Sequence, residues 1–203
     1  LFPALISSTN RNKVFLLLIA LLGVACGLSH LGNLNYDYAV LGQQAAYAGL
    51  DLVLAIILII GGRVLPFFIQ RGLNQNMQKR SALVEKLLPF ALAIYLALNF
   101  FAPYSVITAA YLVVFGLLLT LNLITWHQAG LWKNSLLWTL YIAYAFVGMG
   151  FFLTAAGQLG WVGVYMGMHS VAVGGIGLLT LSMMCRVGLG HTGRVLRPAK
   201  TTQ

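Results

Sequence analysis

Residues 52–63 read Leu-Val-Leu-Ala-Ile-Ile-Leu-Ile-Ile-Gly-Gly-Arg. An unbroken apolar run closed by two glycines and a cation has no polar face to turn toward water. Extended back to residue 39, the run is long enough to cross a hydrocarbon core of ~30 Å as a helix, at about 1.5 Å per residue. In lipid every backbone N–H and C=O needs an internal partner, which a helix supplies and an open strand does not. Five more runs of this kind flank it, giving spans at 14–32, 39–62, 83–102, 104–126, 134–157 and 161–187. Only 7% of the residues are charged against 60% hydrophobic, far from the balance of a soluble domain. The predicted fold class is all-α, a polytopic membrane protein with six transmembrane helices.

The twelve Lys and Arg residues sort to one side of this pattern. Arg11 and Lys13 precede the first span, and Arg63, Arg71, Lys79, Arg80 and Lys86 fall around the connection between the second and third. Lys133 lies between the fourth and fifth, and Arg186, Arg194, Arg197 and Lys200 end or follow the sixth. The connections near 33–38, 102–104 and 157–161 carry none. Short basic loops stay cytoplasmic, so both termini are expected inside. The net charge of +9 then reflects topology and acidic headgroups, and no nucleic-acid partner is expected. Cys26 and Cys185 fall near opposite faces, too far apart for a disulfide. The chain opens Leu-Phe-Pro, and no small-residue cleavage site follows the run from Val14. The expectation is a single membrane domain over 1–203, the second half of a longer protein whose N-terminal half is missing here.

Ionisable groups inside a bilayer are expensive and mark candidate sites. Asp51 stands roughly 18 Å below the outer face along span two, and His169 roughly 12 Å below it along span six. Tyr141, placed by the same arithmetic on span five, is expected in the same layer, roughly 6 Å thick. His169 is the leading candidate ligand, because neutral imidazole is a common partner of metals and haem. Met166, three residues earlier on the same helical face, would add a soft thioether suited to copper. The competing reading has His169 hydrogen-bonded to a neighbouring helix and Met166 filling space. Asp51 reads as a proton-relay group, a residue orienting a ligand from behind, or a neutral hydrogen-bonding acid. Arg63 and Arg186 suit lipid phosphate, topology or a haem propionate alike. His30 and His127 fall at opposite interfaces. No Ser/His/Asp set, paired carboxylates or CxxC appears, so no catalytic constellation is recognisable.

Two stretches carry a resemblance beyond composition. Gly61-Gly62-Arg63-Val64-Leu65-Pro66-Phe67-Phe68 resembles a signature of the NnrS family. Met168-His169-Ser170-Val171-Ala172-Val173-Gly174-Gly175-Ile176-Gly177, with Met184-Cys185-Arg186-Val187-Gly188-Leu189-Gly190-His191-Thr192-Gly193-Arg194, resembles that family's last helix and tail. A weaker third match is Leu136-Leu137-Trp138-Thr139-Leu140-Tyr141-Ile142-Ala143-Tyr144. The resemblance implies the C-terminal half of a twelve-span bacterial inner-membrane protein containing haem and copper. It also implies association with denitrification and defence against nitric oxide, with nitric oxide as a ligand. Gly62, Arg63 and Pro66 match the first motif, and His169, Arg186, His191, Gly193 and Arg194 match the second. Where the family's third motif has a histidine this chain has Tyr141, which implies tyrosinate, another ligand, or no haem at that place.

Three functions therefore stand in order. The first is a haem- and copper-binding membrane protein of the nitrosative-stress response, with His169, Arg63, Arg186, Tyr141 and His191 at the cofactor and Asp51 behind it. The second is half of a proton-coupled small-solute transporter, with residues 174–177 as a possible helix break. The third is a membrane scaffold subunit.

Overall fold

The structure is a computed structural model that describes residues 13–74 and 82–192. Among these the chain is all helical: α1 Lys13–Leu34, a 3-10 turn Tyr36–Tyr38, α2 Ala39–Leu73, α3 Ala82–Phe101 and α4 Val106–Thr125. A second 3-10 turn, Ala129–Lys133, leads to α5 Ser135–Gln158. The last rod, Met166–His191, is α-helical over Met166–His169 (α6), π-wound over Ser170–Gly177, and α-helical again over Leu178–His191 (α7). Five helices are long and apolar enough to cross a membrane, and Lys86–Phe101 is a shorter apolar one. The spans expected at 14–32, 83–102, 104–126 and 134–157 lie within about three residues of α1, α3, α4 and α5 at both ends.

Two expectations fail. Span two does not stop at 62: α2 runs on through Pro66 to Leu73. Pro66 lacks the N–H that would bond the Gly62 carbonyl, and its ring presses on that turn. With Gly61 and Gly62 there, no side chain crowds the ring, and membrane helices tolerate such prolines. Span six begins at Met166, not 161. Gly160 has φ +76°, a left-handed conformation that glycine takes without strain, and residues 159–165 are turn and bend rather than helix.

The chain divides into two compact units, Leu1–Ile59 and Ile60–Gln203, with α2 running through the boundary. In the first unit α1 and the start of α2 form an antiparallel hairpin. Asn35 turns it: its Oδ1 accepts the backbone N–H of Asp37 at 3.1 Å. The arms then touch backbone to backbone, since a Cβ on Gly42 would stand 2.7 Å from the Gly32 Cα. Leu22 meets Gly49 further along. In lipid there is no hydrophobic drive between helices, so small residues that admit close contact hold such pairs together. Gly42→Val is expected to cost about 1–3 kcal/mol through overpacking, seen as a lower thermal midpoint of the purified protein. A midpoint equal to wild type would refute the contact.

In the second unit α3, α4 and α5 share an aromatic core. Phe115 and Phe151 meet edge-on at 4.9 Å, and Tyr95 lies edge-on to Phe151 at 5.0 Å. The α3–α4 turn is tied by Ser105, whose Oγ accepts the Thr108 N–H at 3.1 Å, while Thr108 Oγ1 donates to Ala102 O at 2.7 Å. Tyr111 donates its hydroxyl proton to Ala91 O across the helices at 2.6 Å. The last rod packs antiparallel on α5: Gly167 lies on Thr154, Val171 on Gly150, and Gly175 on Val147. Ser170 adds a cross-helix bond, donating to Phe146 O at 2.8 Å.

Candidate functional sites at the two ends of the second unit

Packing brings together the ends of α4 and α2, the start of α5 and the end of α7: Gly72 abuts Leu137, Gly130 abuts Leu73, and Arg186 lies over Phe68. Arg71, Lys133 and Arg186 lie in these segments, with Arg63 about two turns before Arg71 and Lys86 about one turn into α3. The opposite end, built from 101–106 and 158–169, has no Lys or Arg. The residues singled out from the sequence divide between these ends.

His169 closes α6 at the uncharged end and is exposed. The carbonyl of Tyr165 accepts both its backbone N–H, at 3.0 Å, and its ring Nδ1, at 2.9 Å. A carbonyl can only accept, so Nδ1 carries the proton in this contact, and in the neutral ring the lone pair sits on Nε2. That is the state in which imidazole binds a metal, with the other nitrogen oriented by a carbonyl. Directly after His169 the winding changes from α to π, a feature that recurs at functional sites. Met166 shares the same turn and is 54% exposed.

Tyr141 is not in His169's layer. The contacts of Gly167 with Thr154 and of Val171 with Gly150 set His169 level with Phe152. Tyr141 lies about 16 Å down α5 from that level. The last rod starts at Met166 rather than 161, which lifts His169 toward its end. Tyr141, half-buried, stands instead beside His127 and Trp132, with ring centroids at 5.8 and 6.0 Å. His127 is exposed at the end of α4 and Trp132 sits in the 3-10 turn. The shortness of that connection was the signal that could have grouped them.

Arg186 of α7 and Arg63 of α2 lie on opposite sides of α2. Along α2 the residues Gly61, Leu65, Ile69 and Phe68 turn inward, while Arg63 and Phe67 are exposed on the far side. Gly61 abuts the Tyr144 ring, and Gly72 abuts Leu137. Arg186 is buried at 5% exposure, its Cζ 4.1 Å from the centroid of the Phe68 ring. Such a cation–π contact contributes about 2 kcal/mol when desolvated, less than the cost of burying a bare guanidinium. Arg71 lies over Phe67 more loosely, at 5.9 Å. His191 is exposed in the last turn of α7, and Gly193 and Arg194 lie outside the described residues. Along the rod Arg186 is about 25 Å from His169. Asp51 belongs to the first unit, half-buried on α2.

Sequence reasoning missed one feature. Trp126 and Tyr144 are each 1% exposed, with rings 4.9 Å apart, and neither the indole N–H nor the phenol oxygen has a hydrogen-bond partner among the described residues. Asn122, also buried, is the polar side chain beside the Tyr144 hydroxyl. Both are large aromatics in apolar helices, so composition alone marks them as ordinary core.

No three His, Cys, Asp or Glu side chains cluster among the described residues as a metal-binding group. Cys26 and Cys185 are free and exposed. Against known proteins, a family model described as NnrS protein matches residues 1–203. No curated protein matches, and no solved structure matches.

Proposed function

The chain belongs to the NnrS family, and on that premise we propose that it is a multi-pass protein of the bacterial inner membrane that holds haem and serves the nitric-oxide response. The observation that carries the reading is the His169 ring: Nδ1–H is tied to Tyr165 O at 2.9 Å, which leaves the Nε2 lone pair outward. That arrangement fits a single axial ligand. Bound there, haem iron would supply a position for a diatomic ligand, tuned by the polarity of the surrounding pocket. The chain's own part is to fix the imidazole tautomer, hold the ring at the end of the rod, and keep the surroundings apolar. For copper, His169 and Met166 offer a borderline and a soft donor. The remaining donors would come from outside the described residues, the preceding half of the protein being the proposed source. The basic end would face the cytoplasm, placing His169 toward the outer side. A transporter reading needs a broken helix near mid-membrane, and Met166–His191 is rewound but continuous, so it has less support.

The test is an optical spectrum of the full-length protein in detergent, with and without nitric oxide, and the same for His169→Ala. Wild type is expected to show a Soret band that shifts with nitric oxide, and the variant to lose it. An unchanged band and metal content in the variant would sink the assignment of His169 and leave a packing role.

A further inference from the structure

We propose that Arg186 is the centre of a binding site for an anionic oxygen group, the phosphate of an acidic lipid or a free phosphate ion, at the basic end of the last rod. Membrane topology explains a basic residue there but not its burial. Arg63, Arg71, Lys86 and Lys133 are all exposed. Arg186 is withdrawn to 5% exposure.

Its guanidinium lies over Phe68 at 4.1 Å. A ring face steadies the cation's plane but accepts none of the five N–H donors, which radiate from the edge of that plane. From residue 60 to 203 the only acidic residue is Glu85, whose side chain lies outside the described set. Ser182, one turn earlier on α7, is also buried at 5% and adds a hydroxyl that can donate. Among the described residues the place offers the guanidinium and the hydroxyl as donors and no carboxylate of its own unit. A tetrahedral oxyanion supplies acceptors and negative charge, and a planar fork held flat by a ring is the form of cation that grips it bidentately. The proposal is independent of the haem reading, because His169 is about 25 Å away along the rod.

The experiment measures the thermal midpoint of the full-length protein in detergent, with added phosphatidylglycerol, phosphatidylcholine or inorganic phosphate. Phosphatidylglycerol in saturating excess is expected to raise the midpoint by about 5 °C, and phosphatidylcholine to leave it unchanged. A matching rise with inorganic phosphate identifies a free anion as the ligand; a rise with the lipid alone identifies the headgroup. Arg186→Gln is expected to abolish the response, and Glu85→Gln to keep it. Should Arg186→Gln not fold, Phe68→Leu keeps the charge without the stacking ring and is expected to weaken apparent affinity several-fold. The proposal is overturned by equal rises with both lipids, or by no rise with either lipid or phosphate. A response that appears only in Glu85→Gln also overturns it, since Glu85 would then be the counter-ion. So does a full response in Arg186→Gln.

Discussion

Gly167→Ala should lower the thermal midpoint of the protein more than any other single methyl group added to the last rod at its contact with α5. A Cβ at Gly167 would overlap the Thr154 hydroxyl and stand 2.6 Å from Thr154 N and 2.8 Å from Gly150 O. Two of those three neighbours are backbone atoms inside α5 and cannot rotate away. The rod must lift off α5 or the helix must bend, at about 1–3 kcal/mol for overpacking, or a few degrees of midpoint for each kcal/mol in a chain of this size. Gly188→Ala is the matched control: nothing lies within 4 Å of its added carbon, and alanine is the better helix former. If the two substitutions shift the midpoint alike, the close contact does not exist. Because Gly167 lies two residues before His169, Gly167→Ala should also move the imidazole and alter any spectrum that depends on it.

The second large effect is a contrast at one position. Tyr144→Ala should cost about 3–5 kcal/mol, as buried aromatics do when truncated. Its ring is 1% exposed, packs on Trp126 at 4.9 Å and covers Gly61. Tyr144→Phe keeps all of that and removes a hydroxyl that has no hydrogen-bond partner among the described residues. It is expected to be neutral or slightly stabilising, since a buried polar group without a partner is a net cost. Denaturation of both variants in detergent separates the two terms. A Phe variant as unstable as the Ala variant would mean that the hydroxyl is bonded after all, to Asn122 beside it or to a group outside the described residues.

The helices were legible because lipid imposes a length and a polarity that composition reveals directly. Where reading failed, the cause was backbone geometry. Gly61, Gly62 and Pro66 look like a stop signal, yet Leu65, Phe68 and Ile69 continue one inward face and carry α2 to Leu73. The stretch from Trp161 to Tyr165 looks apolar enough to span, but hydropathy does not register the turn at Gly160. Site residues were legible by type and by resemblance to a family motif, as with His169 and Arg186. Their grouping was not, because it depends on where each rod starts: the late start of the last rod separates His169 from Tyr141, and the faces of α2 separate Arg63 from Arg186. That Arg186 is buried, unlike the other described basic residues of its unit, could not be read from its place in a basic cluster.

The π-wound stretch Ser170–Gly177 sets the angular phase between the two ends of the rod. Its hydrogen bonds run one residue longer than those of an α-helix, so it acts as a vernier between His169 and Arg186. Rewinding it as α with every residue kept would swing His169 by about 100° relative to Arg186, with every side chain at either end unchanged, and removing one residue at the same time would cancel most of that swing. A change of winding there would thus re-aim the imidazole without substituting anything near it, an effect that comparison of individual residues would not reveal.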